Sequence, residues 1–199
     1  MEITYYGHSC FLFKGEGYSI CLDPYGDIGL KIPKIKADYV FCSHNHYDHN
    51  NYAIVEGAKE VKENEFFKII KSYHDDSKGA LRGENNILLF TLDGYKIAFM
   101  GDYGESDNAG IISALKGAHI LLIPIGGKYT IDSETAKYYV DKISPKTIVP
   151  MHYKIKNSTV DISDEKYFLS LFSSYKKVDV PYNYNNDLGV LVLTPKTEG

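Results

Sequence analysis

Apolar residues in the first half of the chain recur at every second position or in short continuous runs, the patterns of half-buried and fully buried β-strands. These runs are Ile3 to Tyr6, Cys10 to Phe13, Tyr18 to Leu22, Tyr39 to Cys42, Phe66 to Ser72, Ile87 to Leu92 and Tyr95 to Met100. Lys14-Gly15-Glu16-Gly17 and Asp93-Gly94 tolerate the positive φ of tight turns, which predicts two antiparallel hairpins. Further buried strands are expected at His119 to Ile125, Thr147 to Pro150 and Leu188 to Leu193. Helices are sparse: Asn51 to Glu56 ending at Gly57, Asn108 to Lys116 ending at Gly117, Asp132 to Ile143, and Glu165 to Tyr175. The third is the clearest, because Asp132 or Ser133 caps it and Ala136, Tyr139, Val140 and Ile143 share one face. Helices flanking sheets are the natural packing solution, an α+β arrangement. Asn183 to Asp187 reads as a polar surface loop, and no repeat, linker or low-complexity tract divides the 199 residues, so one domain over 1–199 is expected.

Composition narrows the setting. With 44% hydrophobic and 24% charged residues and no apolar stretch near the roughly 20 residues a membrane span needs, the chain is expected to be soluble. Met1-Glu2-Ile3-Thr4 enters a strand pattern at once, with no basic or apolar leader. Cys10, Cys21 and Cys42 lie in strand-like runs without CxxC spacing, which argues against a disulfide framework and for core thiols in a reducing cytoplasm. A net charge of -4 supplies no basic field to capture long nucleic acid. Two divalent cations would bring the loaded protein near neutrality. Arg82 is the sole arginine, a bias from which no function is drawn.

The chemistry concentrates where apolar strands end. His44-Asn45-His46-Tyr47-Asp48-His49, an HxHxDH cluster, follows the run Tyr39 to Cys42. Crowded imidazoles compete for protons and a crowded carboxylate resists burial unless a divalent cation holds the lone pairs, so a metal site, with room for two ions, is the first expectation. Other strand ends carry His74, Asp102, Gly126-Gly127 and His152, and a shared sheet edge would gather all of these loops. Of 7 histidines only His119 lies inside a strand run, as a hydrogen-bonded core histidine. The Lys31 to Lys36 stretch, with Pro33, reads as an exposed loop, and Met100 and Met151 as core.

Gly7-His8-Ser9, HxHxDH, His74, Gly101-Asp102, Pro124-Ile125-Gly126-Gly127 and Pro150-Met151-His152-Tyr153, in that order, make the chain resemble the metallo-β-lactamase-fold superfamily. Within it the chain is similar to compact hydrolases of the ascorbate-6-phosphate lactonase-like group. The resemblance implies a four-layer αββα sandwich of two mixed β-sheets flanked by helices. It also implies two metal ions at one edge: His44, His46 and His74 on the first, Asp48, His49 and His152 on the second, and Asp102 bridging. Tyr103 departs from the Thr that many relatives carry after the Gly-Asp pair. His8 would serve the site as a donor or substrate contact.

Such a ligand set leaves each ion an open position, and two ions roughly 3.5 to 4 Å apart hold one hydroxide between them. Asp48, besides ligating, is placed to orient that hydroxide or accept its proton, so Asp48 and His8 are the catalytic candidates. Nitrogen and carboxylate donors without thiolate favour Zn²⁺, with Mn²⁺ or Fe²⁺ as other occupants. Gly127 and Lys128 are candidate contacts, through backbone amide and ammonium, to an anionic substrate. The loops Tyr25 to Lys36, Asp75 to Glu84 and Tyr153 to Asp161 are expected to shape the pocket. The expected function is a cytoplasmic dinuclear hydrolase of a small, anionic ester, lactone or phosphodiester. Competing expectations are an RNA-processing nuclease, disfavoured by the acidic balance, a di-iron redox enzyme, disfavoured by His46, and a non-catalytic metal-stabilised binding module.

Overall fold

A computed structural model describes residues 1–197. Its strands in the first part of the chain are β1 (Glu2–Gly7), β2 (Cys10–Lys14), β3 (Ser19–Leu22), β4 (Ile35–Lys36), β5 (Tyr39–Phe41), β6 (Val55–Glu56) and β7 (Lys59–Glu60). There follow β8 (Phe67–Tyr73), β9 (Glu84–Leu92), β10 (Tyr95–Phe99), β11 (Ile120–Pro124), β12 (Thr147–Met151), β13 (Tyr175–Val178), β14 (Tyr182–Asn183) and β15 (Gly189–Leu193). Helices α1 (Ala109–Leu115), α2 (Ser133–Ile143) and α3 (Lys166–Ser170) connect strands of the second half.

The strands form two mixed sheets, a 6-stranded one ordered β14-β1-β2-β3-β5-β7 and a 7-stranded one ordered β13-β15-β12-β11-β10-β9-β8, with β4-β6 as a separate pair. Aromatic side chains lock the sheets together face to face. Phe13 of β2 meets Phe90 of β9 edge-on at 5.5 Å, and Phe41 of β5 meets Phe99 of β10 at 6.3 Å. Offset and edge-to-face pairs of this kind bury large apolar area with favourable quadrupole geometry. β11 and β12 are buried at every position, as continuous apolar runs in a parallel sheet should be. The result is an α+β sandwich.

Helix α2 follows its sequence pattern closely. The Asp132 side chain accepts the Thr135 N–H at 2.9 Å, Ala136, Tyr139, Val140 and Ile143 are buried, and Ser144 ends the helix in the left-handed region at φ 54. Asn108 likewise caps α1. Elsewhere the helical expectation yields to strand pairing. At Asn51 to Glu56 only a 3₁₀ turn, Tyr52–Ile54, forms before Val55–Glu56 pairs in parallel with Ile35–Lys36. So short a run cannot meet the cost of helix nucleation, and β-branched Ile54 and Val55 suit the strand. At Glu165 to Tyr175 the helix stops at Ser170 and Tyr175 begins β13, paired to β15. The polar Asn183 is not wholly loop either: β14 adds to the edge of β1.

Register explains why the chemistry collects at one place. β10, β11 and β12 run parallel, with Phe99 opposite Leu122 and Pro124 opposite Met151, so Asp102, Gly126 and His152 leave at the same edge. β3 and β5 are parallel with Leu22 opposite Phe41, which sends Asp23 and the HxHxDH loop out together. His74 follows β8, whose Tyr73 pairs with Glu84 at the start of β9. An irregularity between Tyr5 and Gly7 bends the end of β1 and turns His8 toward the same edge at φ 55.

Candidate metal centre

Asp102 is the hub. Its Oδ2 lies 3.1 Å from His49 Nε2, 3.2 Å from His74 Nε2, 3.2 Å from His152 Nε2 and 3.9 Å from His44 Nε2. Asn85, fully buried, fixes the backbone there: its Oδ1 accepts the Asp102 N–H at 3.0 Å, and its Nδ2 donates to the Met100 carbonyl at 2.9 Å and Ser72 Oγ at 2.8 Å. Gly101 sits at φ +57 where a Cβ would stand 2.4 Å from Ser43 Cβ, so only glycine lets the Asp102 turn pass this close under the histidine loop. Asn86 completes the join, donating its backbone N–H and its Nδ2 to the Ser43 carbonyl, both at 2.9 Å.

Around this hub the imidazoles fall into two groups. Ligand atoms of His44, His46 and His74 lie within 4.8 Å of one another, and so do those of His8, His49 and His152. Asp48 stands beside the second group, its Oδ2 3.2 Å from His8 Nε2 and 3.6 Å from His49 Nε2. His8 is thus closer to the histidines than a mere neighbour of the site: its Nε2 is 3.0 Å from His49 Nε2. The Tyr5 hydroxyl donates to the His8 carbonyl at 3.0 Å, and the His152 N–H donates to the same carbonyl at 2.8 Å, which ties β1 to the end of β12.

Asp23 escaped the sequence reading although it ends an apolar strand just as the other acidic and histidine residues do. Completely buried, it accepts the Ser43 N–H at 2.7 Å, the Ser43 hydroxyl at 2.6 Å and the His49 Nδ1–H at 2.8 Å. Ser43 Oγ, having donated to Asp23, accepts from His44 Nδ1 at 2.9 Å. One carboxylate therefore sets the tautomer of an imidazole in each group, leaving both Nε2 lone pairs free to face the centre. Asp23 also lies within ligand distance of His44 and His49, but its oxygens are already engaged, so it orients rather than ligates.

The electrostatics are those of crowded bases around one acid. Burial opposes charge on Asp102, yet the His152 and His49 imidazoles outweigh it and hold the carboxyl well below its usual range. Burial likewise opposes a proton on His49 and His74, but Asp102 overcomes it in both, raising His49 well above and His74 above the ordinary value. Burial and the neighbouring His49 push His44 down to about 2, and burial and His152 push His8 down to about 3. Burial and the nearby His74 lower His46 as well. Asp48 is lowered despite its burial because His8 and His49 face it. Asp23 is raised by burial, partly offset by its bonds to His49 and Ser43.

The donor set fits divalent cations. Buried His44 Nε2 and Asp102 Oδ1 have no hydrogen-bond partner among the described residues, and neither do the Nδ1 atoms of His74 and His152. With Nδ1–H committed to Asp23, His49 Nε2 meets the Asp102 carboxylate at 3.1 Å, a contact that either a second proton on the ring or a cation between the two must bridge. A proton relieves one such contact; a cation relieves all of them together.

A cavity of about 600 Å³ opens over this cluster, lined by His46, Asp48, His74, Asp102 and His152 on one side and by Leu81, Arg82, Tyr129 and Thr159 to Asp161 on the other. Of the loops expected to shape it, Asp75 to Glu84 and Tyr153 to Asp161 do so. The Tyr25 to Lys36 loop lines no part of it and instead buttresses it, the Gly26 N–H donating to the Tyr47 carbonyl and the Ile28 carbonyl accepting from Thr159.

Gly127 and Lys128, the expected substrate contacts, are differently employed. The Gly127 N–H donates to the Ile131 carbonyl at 3.2 Å, which removes it as an anion donor, and the Lys128 ammonium pairs with Asp161; neither residue lines the cavity. Gly126 serves packing, since a Cβ there would stand 2.2 Å from the His152 carbonyl oxygen. Tyr103 is engaged away from the histidine cluster, its hydroxyl 2.8 Å from that of Tyr139 on α2. His119 is a structural histidine whose Nδ1 accepts the Lys96 N–H at 2.9 Å. Cys10 and Cys21 are buried free thiols and Cys42 is partly buried. No helix among the described residues is long and apolar enough to cross a membrane.

Comparison with known families bears on this arrangement directly: a model described as the beta-lactamase superfamily domain matches residues 2–152. The chain belongs to that superfamily. Among its relatives, a UPF0173 protein of Pyrococcus abyssi is 33% identical, the match covering 77% of this chain and 83% of the relative. A UPF0173 metal-dependent hydrolase of Carboxydothermus hydrogenoformans is 29% identical over 77% of this chain and 84% of its own. Among solved structures, a metallo-beta-lactamase superfamily protein of Thermotoga maritima superposes with a TM-score of 0.80 at 29% identity, covering 98% of this chain and 99% of that one. The fold is the metallo-β-lactamase fold and the chain is a metal-dependent hydrolase of this superfamily.

Proposed function

We propose that this superfamily member is a dinuclear hydrolase that takes two divalent cations, Zn²⁺ first, and cleaves a small anionic ester, lactone or phosphodiester. The observation that carries the reading is the shared carboxylate: Asp102 Oδ2 sits within 3.9 Å of imidazoles from both histidine groups. His44, His46 and His74 would hold one ion, and His49 and His152 with Asp48 the other, Asp102 serving both. Imidazole and carboxylate donors without thiolate suit zinc, with Mn²⁺ or Fe²⁺ as other occupants. When bound, the ions supply a water that ionises near pH 7 and a Lewis acid for the substrate's carbonyl or phosphoryl oxygen.

The chain's own residues do the rest. Asp23 and Ser43 fix the ring faces of His49 and His44, and Asn85 fixes the Asp102 backbone, so the site is organised before substrate arrives. Asp48 faces the cavity with its carboxylate ionised, and its Oδ2 can take a proton from water and return it to the leaving group. His8, kept neutral by burial, bonds to the same Oδ2 through Nε2 and steadies its orientation. A lactone substrate agrees with the resemblance to ascorbate-6-phosphate lactonase-like enzymes.

The test is a panel of lactone, ester, thioester and phosphodiester substrates assayed with the metal-loaded protein, alongside elemental analysis. Two ions per chain and turnover of at least one class are expected. Full loading with no turnover of any member would instead make the chain a binding module.

A further inference from the structure

The chain's sole arginine occupies the rim of the cavity, and nothing among the described residues neutralises it. Arg82 makes no ion pair among the described residues. Its guanidinium lies against the Tyr129 ring at 5.6 Å from the centroid, half-buried and facing the space over the ligands. Lys128 also lies against this ring, at 5.5 Å, but Asp161 already compensates it. Asp48 and Asp102 face the metal centre, so once ions are bound their charge is spent there. That leaves Arg82 as the uncompensated cation on the cavity wall.

Its position is held in advance. Asp75, buried and next in sequence to His74, accepts the backbone N–H groups of Ser77 at 2.8 Å, Gly79 at 3.0 Å, Leu81 at 3.1 Å and Arg82 at 2.8 Å. Those bonds hold the Asp75 carboxyl below its usual range even against burial. A single carboxylate thereby fixes the backbone of Arg82 relative to a metal ligand. A second cavity, of about 520 Å³, adjoins the first and shares Asn45, His46 and Arg82 with it. Glu84 lines that second cavity yet does not pair with Arg82. Arg82 therefore borders two hollows, one over the histidine cluster and one beside it.

We infer that Arg82 is a specificity-determining residue that binds a carboxylate or phosphate group of the substrate separate from the bond being cleaved, with the Tyr129 ring beside its guanidinium. This rests on the hydrolase reading above and narrows its substrate class to esters or lactones that carry a second, unreacting oxyanion. A planar guanidinium is suited to the task because it offers paired donors to two oxygens, and contact with an aromatic ring restricts its freedom before the ligand arrives.

The test compares mono-4-nitrophenyl glutarate with 4-nitrophenyl butyrate, esters of one leaving group that differ in a terminal carboxylate, using metal-loaded protein. Wild type should prefer the glutarate, and Arg82→Gln should lower the glutarate-to-butyrate ratio of kcat/KM by at least about tenfold, chiefly through KM, with Arg82→Lys between. Lys128→Gln should leave that ratio unchanged. Binding of glutarate itself, which has no scissile bond, should weaken about tenfold or more in Arg82→Gln by calorimetry. If neither ester is turned over but glutarate binding still depends on Arg82, the ester as substrate class falls and the anion subsite stands. If both esters are cleaved and Arg82→Gln changes neither the ratio nor glutarate binding, the subsite is refuted while the hydrolase remains. A ratio that collapses in Lys128→Gln and not in Arg82→Gln also overturns it.

Discussion

Replacing Asp23 by asparagine changes one buried oxygen to an amide nitrogen, and the hydrogen bonds around it predict which one. Oδ1 faces the Ser43 backbone N–H at 2.7 Å, a donor that accepts no substitute for oxygen. The amide nitrogen must then occupy the Oδ2 position, where it meets the Ser43 hydroxyl and His49 Nδ1. As a donor it forces Nδ1 of His49 to accept, which moves the ring proton to Nε2, the atom facing Asp102. It also frees the Ser43 hydroxyl proton to point at His44 Nδ1, which pushes the His44 proton toward its Nε2 in the same way. Each histidine group thus loses a lone pair at the centre unless it restores the original tautomer against a bad contact. Loss of such an orienting partner costs metal affinity about 10- to 100-fold, or about 1.4 to 2.7 kcal/mol. Chelator competition with Zn²⁺ on wild type and Asp23→Asn measures the affinity, and ¹⁵N NMR of the imidazoles reads the tautomers. Wild-type affinity for both ions together with an Nδ1-protonated His49 in the variant would refute the reasoning.

Asp102→Ala should remove at least one ion and nearly all turnover, because both histidine groups lose their common carboxylate; elemental analysis showing two ions at normal rates would contradict this. Metal affinity should fall as pH falls, since ligation requires neutral imidazoles and the raised His49 and His74 must give up protons that lowered His44 and His46 do not carry. Zinc titrations near pH 6 in buffers of different ionisation enthalpy should report about two protons released per loaded chain, and none released would refute the assignment. Gly101→Ala places a Cβ 2.4 Å from Ser43 at φ +57, so conformational strain of about 1–2 kcal/mol plus the contact should lower Tm by at least about 4 °C in scanning calorimetry. An unchanged Tm would show that the Asp102 turn does not need glycine.

How much of the fold could be read in advance depended on whether each element's cause was local. Strands such as β2 and β10 carry their own apolar pattern, and α2 carries both its cap and its buried stripe, so each was visible from its own residues. The two-residue strands β4, β6, β7 and β14 have no such pattern. They exist because a neighbouring strand presents unpaired backbone groups at the right register, as β1 does for Tyr182 and β5 for Lys59. The chain at Asn51 to Glu56 looked helical for want of a visible partner, and the partner lay at Ile35–Lys36. β13 likewise needed β15 to exist before Tyr175 could be anything but the end of a helix.

The same distinction separates the legible part of the site from the rest. Residues whose cost of assembly is high announce themselves: an HxHxDH run is hard to explain without a cation, and its companions at other strand ends follow from the same rule. Asp23 obeyed that rule too, standing directly after Leu22, and was passed over because a lone aspartate before proline also reads as an ordinary turn. Asn85 and Asp75 had no signal at all, since their work consists of bonds to backbone that only the folded chain brings within reach. Lys128 and Arg82 show the point most sharply. A lysine beside a glycine pair looks like an anion contact until Asp161 is found against it, and an isolated arginine looks unremarkable until no carboxylate among the described residues is found paired with it. Whether a charge is available to a ligand is decided by what else reaches it, a three-dimensional property that no residue carries in its own neighbourhood of the sequence.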